Sequence, residues 1–191
     1  MRVFLAFKIP QKIMDVCISV QEYLKNCFGE DVCIKWVEPQ NLHVTLLFLG
    51  YIDDNQIDRL ITNLNLFRNY DRLNFFLKDL NWKGIGRIPN VLWLNLGGDL
   101  EKAKILHRNI KKTISSFDIK LDPREFLPHI TLGRVKYVKN RSKIETSEIE
   151  ISSFIKGKDT FFVVDSFYIF SSELTGSGPI YKAVSSVGFR A

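Results

Sequence analysis

The chain has 191 residues, 46% of them hydrophobic and 25% charged, with 27 Lys and Arg against 21 Asp and Glu for a net charge of +6. That balance excludes a disordered chain and gives enough apolar residues for one sizeable core without staples. Mean hydropathy is −0.03 and no apolar run reaches the ~20 residues of a membrane span, while the positive excess favours polyanionic partners.

Residues 2–9 alternate like a strand rather than carrying the apolar stretch and small-residue cleavage site of a signal peptide. A cytoplasmic protein is therefore expected. Pro10 suits the first turn of a helix running to about Cys27, with Ile13, Val16, Cys17, Val20 and Leu24 on one face. Residues 43–49 read as a strand ended by Gly50, and residues 55–67 as a second helix. Strands at 73–82 and 90–96 flank a Gly-Ile-Gly-Arg-Ile-Pro turn. A helix over 99–117 places Leu100, Ala103, Leu106, Ile110 and Ile114 inward. Residues 129–136 form another strand, followed by a polar stretch over 139–153 with room for a short helix. Two last strands, 160–173 and 180–189, are joined by the turn Thr175-Gly176-Ser177-Gly178-Pro179.

Cys17, Cys27 and Cys33 are an odd number without C-x-x-C spacing, so they read as reduced thiols, Cys17 on the apolar side of its helix. No pair of ligands has zinc spacing and no carboxylates cluster, so neither a metal nor a cofactor is expected. Arg134, Lys136, Lys139, Arg141 and Lys143 form a loose basic cluster that reads as a solvated loop or a phosphate track.

Strand, helix and His-bearing strand occur twice in the same order. Of three histidines, two sit in the same pattern: His43-Val44-Thr45-Leu46 and His129-Ile130-Thr131-Leu132. On a strand His and Thr face one side, while Val44/Leu46 and Ile130/Leu132 anchor the other. No linker separates the halves, so the whole chain, 1–191, is expected to form one domain of two pseudo-symmetric α+β lobes with a cleft between them. Two imidazoles with reference pKa near ~6.5 can share acid–base work at phosphorus, one neutral and one protonated. The two threonine hydroxyls would hold phosphate oxygens. His107, mid-helix among Lys104, Arg108, Lys111 and Lys112, lacks this context and reads as surface or partial-face filler.

The chain resembles the two-histidine phosphoesterases, and within them the bacterial and archaeal RNA 2′,3′-cyclic phosphodiesterases, also called 2′-5′ RNA ligases. The resemblance rests on Arg2-Val3-Phe4-Leu5-Ala6-Phe7 with Pro10, on Lys35-Trp36-Val37-Glu38-Pro39-Gln40-Asn41-Leu42-His43-Val44-Thr45-Leu46 and on Phe48-Leu49-Gly50. It continues through Val91-Leu92-Trp93, Phe126, Pro128-His129-Ile130-Thr131-Leu132, Arg134-Val135, Ser172-Glu173-Leu174 and Tyr181. It implies a bilobal α+β fold with two antiparallel sheets facing a central cleft and helices outside. It also implies opening of RNA 2′,3′-cyclic phosphate ends to 2′-phosphates, and ATP-independent joining of tRNA halves. His43 and His129 would be the acid and the base, and Thr45, Thr131 and Arg134 would bind phosphate. Alternatives are a binding module of the same fold without turnover, or a phosphodiesterase trimming RNA 3′ ends. The family often has Lys after the first His-x-Thr-Leu and a basic residue two before the second His. Here these are Leu47 and Leu127, a loss of cleft charge that Arg124 could offset. Trp36, Phe48, Trp82 and Tyr181 are candidate base-stacking residues among aromatics that mostly fill the core; Phe4, Phe7, Phe75, Phe162 and Phe170 take alternating strand positions. RNA ends and cyclic nucleotides are the expected partners, no membrane is involved, and a monomer is expected.

Overall fold

The computed structural model describes every residue except 86–87, 118, 120, 122–124, 141, 177 and 191. The candidate charges Arg124 and Arg141 fall outside the described residues. In chain order the elements are β1 (Arg2–Lys8), α1 (Gln11–Phe28), β2 (Val32–Trp36), a 3₁₀ turn (Pro39–Asn41), β3 (His43–Tyr51) and α2 (Asp54–Leu64). A second 3₁₀ turn (Asn65–Asn69) precedes β4 (Leu73–Ile85), β5 (Ile88–Gly98), α3 (Leu100–Thr113) and β6 (His129–Val138). Then come α4 (Ser142–Lys156), β7 (Phe161–Val164), β8 (Ser166–Leu174) and β9 (Pro179–Gly188).

The strands run β7-β4-β5-β6-β3-β1-β8-β9 in one curled antiparallel sheet, with β2 sharing an edge of β6. The two expected sheets are its two halves, joined between β3 and β6 at the pair Val44–Ile130. Those residues are equivalent in the repeat, so the local two-fold of the antiparallel ladder coincides with the two-fold of the duplication. It relates β1-α1-β3 to β5-α3-β6. α1, α2, α3 and α4 bury their apolar stripes on one face, against a core that includes Leu5, Phe7, Val44, Leu94, Ile130 and Leu132. The other face carries no helix stripe and holds a small separate cluster of Phe4, Ala6 and Phe170. This explains why β1 is buried from Val3 to Phe7 without interruption: its odd positions meet the helices and its even positions meet the aromatics.

Several expectations change here. The strand over 160–173 breaks at Asp165; β7 pairs with β4 at one end of the sheet and β8 with β1 in the other half. A run of alternating apolar residues does not reveal which neighbour each part chooses. The polar stretch is a helix of 15 residues, held by Ile144, Ile151 and Ile155 at helical spacing. β2, five residues long and starting three residues after Gly29, is a strand beyond those expected from the sequence. The basic cluster is not one loop. Arg134 and Lys136 lie on β6, and Lys143 pairs with Asp31 at 3.0 Å. His107 is 8% exposed and stacks on Phe126, because α3 turns this position inward with Ala103, Leu106 and Ile110.

Candidate active site

Both motif histidines open their strands, His43 at the start of β3 and His129 at the start of β6. Each ring is fixed in the same way. Nδ1 of His43 lies 2.7 Å from the carbonyl of Asn41, and Nδ1 of His129 lies 2.7 Å from the carbonyl of Leu127. A carbonyl only accepts, so each Nδ1 carries a proton and donates it. In the neutral ring Nε2 is then the lone-pair nitrogen, available to take or return a proton. Nε2 of His43 lies 2.9 Å from Oγ1 of Thr45, which donates to the neutral ring and accepts from the imidazolium. Carried one residue each way, the Val44–Ile130 register sets His43 beside Thr131 and Thr45 beside His129 across the two-fold.

Burial lowers the pKa of His43, its Asn41 hydrogen bond opposes this, and the field of His129 lowers it further. Burial also lowers His129 against its bond to Leu127. Each ring thus resists charging, and the mutual repulsion disfavours two imidazolium rings at once. One neutral and one protonated imidazole is the arrangement acid–base work needs.

Arg134 lies five positions past His129, which on a regular strand would be the opposite face. The β5–β6 register steps over Leu132, from Trp93–Thr131 to Leu92–Gly133. This bulge buries Leu132 and Gly133 and returns Arg134 to the histidine face. The carbonyl of Leu132 accepts from the backbone N–H of Val37 and from Nε2 of Gln21, each at 2.9 Å. Gln21 also donates to the carbonyl of Val37, so this buried amide ties α1 to both partners of the bulge. A side chain at Gly133 would collide with Ile34. β3 repeats the device. Its register to β1 steps over Leu46, and Phe48 is the two-fold mate of Arg134. Leu47 is therefore a core residue, 4% exposed, and a leucine there takes no charge from the helix-free face. Leu127 is 62% exposed; its carbonyl, not its side chain, serves His129.

The two halves of the face differ. Around His43 lie Phe4 at 5.2 Å between ring centroids and Tyr181 at 5.5 Å, edge-on. Phe4 stacks on Phe170 and touches Phe48, and the ammonium of Lys8 sits 4.0 Å above the Tyr168 ring. Phe4, Lys8, Gln40, His43, Phe170 and Tyr181 line a cavity of about 120 Å³. Around His129 the two-fold mates differ: Asn95 answers Lys8, Trp93 answers Ala6 and Arg134 answers Phe48. Trp93 is 5.6 Å from the imidazole and donates through Nε1 to Asn95, which donates to Asp79, at 2.7 and 2.5 Å. Asn95 opens onto a broad polar groove that Lys78, Asn81 and Lys156 also line.

Of the residues singled out by sequence, His43, Thr45, His129, Thr131, Arg134, Phe48 and Tyr181 share the helix-free face. Trp36 and Trp82 do not. Both pack against the main core, and Trp36 flanks Gly133 beneath Lys25 of α1, since the β2–β6 register turns position 36 to the helix side. Phe4 and Phe170 are buried, as expected, but in the small separate cluster on the histidine face rather than in the main core. Their alternation was legible, but not which face the helices would leave open. Lys8 and Asn95 are further neighbours outside the motifs, and Asn41 and Trp93 lie within the matching stretches without a chemical role expected of them. Among the described residues no three His, Cys, Asp or Glu side chains gather to hold a metal ion.

The family model described as LigT-like phosphoesterase matches residues 8–81 and 100–181. The chain belongs to the LigT-like phosphoesterase family. As a member it is a hydrolase with the α+β fold of the two-histidine phosphoesterases, as the motifs implied. The RNA 2′,3′-cyclic phosphodiesterase of Methanocaldococcus jannaschii is 31% identical over 96% of this chain and 98% of that protein. The enzyme of the same name from Thermotoga maritima is 29% identical over 99% of this chain and 96% of its own length. Among solved structures, E. coli LigT complexed with 3′-AMP superposes with a TM-score of 0.74, at 18% identity, covering 100% of this chain and 98% of that one. The protein TT0787 of Thermus thermophilus gives 0.70 at 23% identity, covering 98% and 97%. At these identities the structural likeness is one of fold.

Proposed function

We propose that the chain hydrolyses 2′,3′-cyclic phosphate ends of RNA to 2′-phosphate ends, without a metal, using His43 as general acid and His129 as general base. The observation that carries this reading is the twin pinning of Nδ1 by a carbonyl two residues back, which presents two Nε2 atoms on one face with a hydroxyl beside each motif histidine. The names of the relatives from Methanocaldococcus jannaschii and Thermotoga maritima support the substrate.

The difference between the two halves supports the roles. The aromatic cavity beside His43 suits the terminal nucleoside, so His43 lies on the side of the departing ribose oxygen. Nε2 of His129 takes a proton from water as the water oxygen bonds to phosphorus. The bond from phosphorus to O3′ breaks, and His43 protonates O3′, leaving a 3′-hydroxyl and a 2′-phosphate. Thr45, Thr131 and Arg134 hold the non-bridging oxygens and offset their charge in the transition state. Phe48 and Tyr181 offer stacking surface to the base. With a ribose 5′-hydroxyl in place of water the same step leaves a 2′-5′ phosphodiester, which is how tRNA halves would be joined. Cyclic mononucleotides are minimal substrates in this reading. The whole chain acts in the cytoplasm as one bilobal, monomeric unit.

The test is hydrolysis of cytidine 2′,3′-cyclic phosphate in excess EDTA, with the product identified by chromatography. Turnover to the 2′-phosphate is expected to persist. Loss of turnover that zinc or magnesium restores would overturn metal independence, and a 3′-phosphate product would overturn the role of His43.

A further inference from the structure

At the end of the histidine face away from His129, β2 and β6 set Lys35 directly opposite Arg134. Ile34 and Trp36 flank Gly133 on the core side, so Lys35, between them, is turned to the same face as Arg134, and both are exposed. Like charges directly opposite on adjacent strands destabilise a sheet, with Cβ atoms only about 5 Å apart. Neighbouring carboxylates usually relieve such a pair. Here no ion pair of the described residues includes Lys35, Arg134 or Arg2.

The same end of the face is bounded by the turn between β8 and β9. The Lys35 ammonium lies 3.9 Å from where a Gly178 Cβ would stand, and Gly178 has φ +149°, which favours glycine. The amide of Asn41 donates to the Pro179 carbonyl at 2.9 Å, holding this turn against the segment that carries His43. Tyr181 follows two residues later. Burial pushes its phenol pKa up, and the positive fields of Arg134 and then Arg2 pull it back. Arg2 stands opposite Ser172, whose other neighbour is Tyr181.

We propose that Lys35, next to Arg134, forms a second-phosphate subsite that takes the phosphodiester on the 5′ side of the terminal nucleotide, so that the site is built for oligonucleotide ends rather than for mononucleotides. This rests on the proposed reading of the site, in which Arg134 holds the reacting phosphate. Lys35 then meets the next phosphate along the strand, with the terminal base against Tyr181 and Phe48. The uncompensated cations, a cost in the free protein, become an anion site when the chain is bound.

The test compares a mononucleotide and a dinucleotide, each ending in a 2′,3′-cyclic phosphate for turnover and in a 3′-phosphate for calorimetric binding. Lys35→Gln should raise KM and Kd for the dinucleotide about tenfold and leave kcat within about twofold. Both constants for the mononucleotide should move less than about twofold, and Lys35→Arg should restore dinucleotide binding. The slope of log Kd for the dinucleotide against log salt should fall by about 0.7 in Lys35→Gln, the value for one phosphate of a single strand. Equal effects on both ligands, or none on either, would overturn the subsite. If the wild-type protein turns over neither substrate but Lys35→Gln still weakens dinucleotide binding selectively, the catalytic reading fails and the subsite stands.

Discussion

The His43 half and the His129 half of the open face are built on one plan and lined differently. In each, a strand starts with the histidine, a carbonyl two residues back fixes Nδ1, and a one-residue bulge turns position +5 onto the same face. The lining then diverges at every equivalent place. Lys8 stands opposite His43 and Asn95 opposite His129; Ala6 opposite Thr45 and Trp93 opposite Thr131; Phe48 answers Arg134. The shared parts orient an imidazole, a requirement that is the same for an acid and a base. In the proposed reaction the divergent parts would contact what differs between the two sides of phosphorus, a nucleoside on one and water on the other. A symmetric scaffold would then carry an asymmetric reaction by changing only the residues around the two rings.

The largest effects test the shared part. His43→Ala and His129→Ala should each lower turnover of a cyclic nucleotide by ~10²–10⁴-fold, and the double variant should be little worse, because the two act as a unit. Both should fold, since Val44, Leu46, Ile130 and Leu132 still anchor the strands; circular dichroism and steady-state rates check this. A single variant with near-normal rate would break the equivalence. The pH profile of kcat/KM should be bell-shaped, with its limbs displaced to the acid side of an ordinary imidazole, since both rings have lowered pKa values. His129→Ala should lose the acidic limb and His43→Ala the alkaline one.

The divergent part should respond in two different parameters. Tyr181→Ala removes aromatic surface on the nucleoside side and should raise KM for a cyclic nucleotide about tenfold, within the ~1–3 kcal/mol of a base–aromatic stack, with a smaller change in kcat. Asn95→Ala, which frees Trp93 and Asp79, should lower kcat several-fold and leave KM nearly unchanged. The opposite pattern would exchange the two sides. Thr45→Val and Thr131→Val each delete one hydroxyl and should cost roughly 3–10-fold in kcat, the range of about 0.5–1.5 kcal/mol for a hydrogen bond, less than loss of either imidazole.

The smallest effect lies outside the face, at the third histidine. Burial pushes the His107 pKa down to about 4, with Lys111 adding to this. The unfolded chain therefore binds more protons than the folded one between about 4 and the ordinary value of 6.5. Stability present above that ordinary value falls as the pH drops through this window, by about 1–3 kcal/mol. His107→Leu should flatten the dependence, measured as urea midpoints at pH 5 and pH 7.5, without changing the rate at neutral pH. An unchanged slope would show that other groups set the acid limit.

Much of this was legible in the sequence because it rests on local periodicity. The strand positions of His43, Thr45, His129 and Thr131 follow from alternation, and the buried stripe of α1 from its helical spacing. What was not legible depends on pairing between distant strands. The bulges at Leu46 and Leu132 decide that Leu47 is core while Phe48 and Arg134 face the histidines, and nothing local marks them. The roles of Gln21 and Asn41 arise the same way, since their partners Leu132 and Pro179 lie far along the chain. Trp36 lies on the helix side and the buried Phe4 on the histidine side, because alternation separates two faces without saying which one the helices cover.

The most direct test of the account uses a cyclic substrate in which sulfur replaces the bridging 3′ oxygen. A thiolate leaves without protonation, so the need for an acid disappears while the need for a base remains. His43→Ala should turn over this substrate at close to the wild-type rate, whereas His129→Ala should stay impaired as severely as on the oxygen substrate. Rescue of His129→Ala instead, or of neither variant, would contradict the assignment of His43 to the departing oxygen and His129 to water.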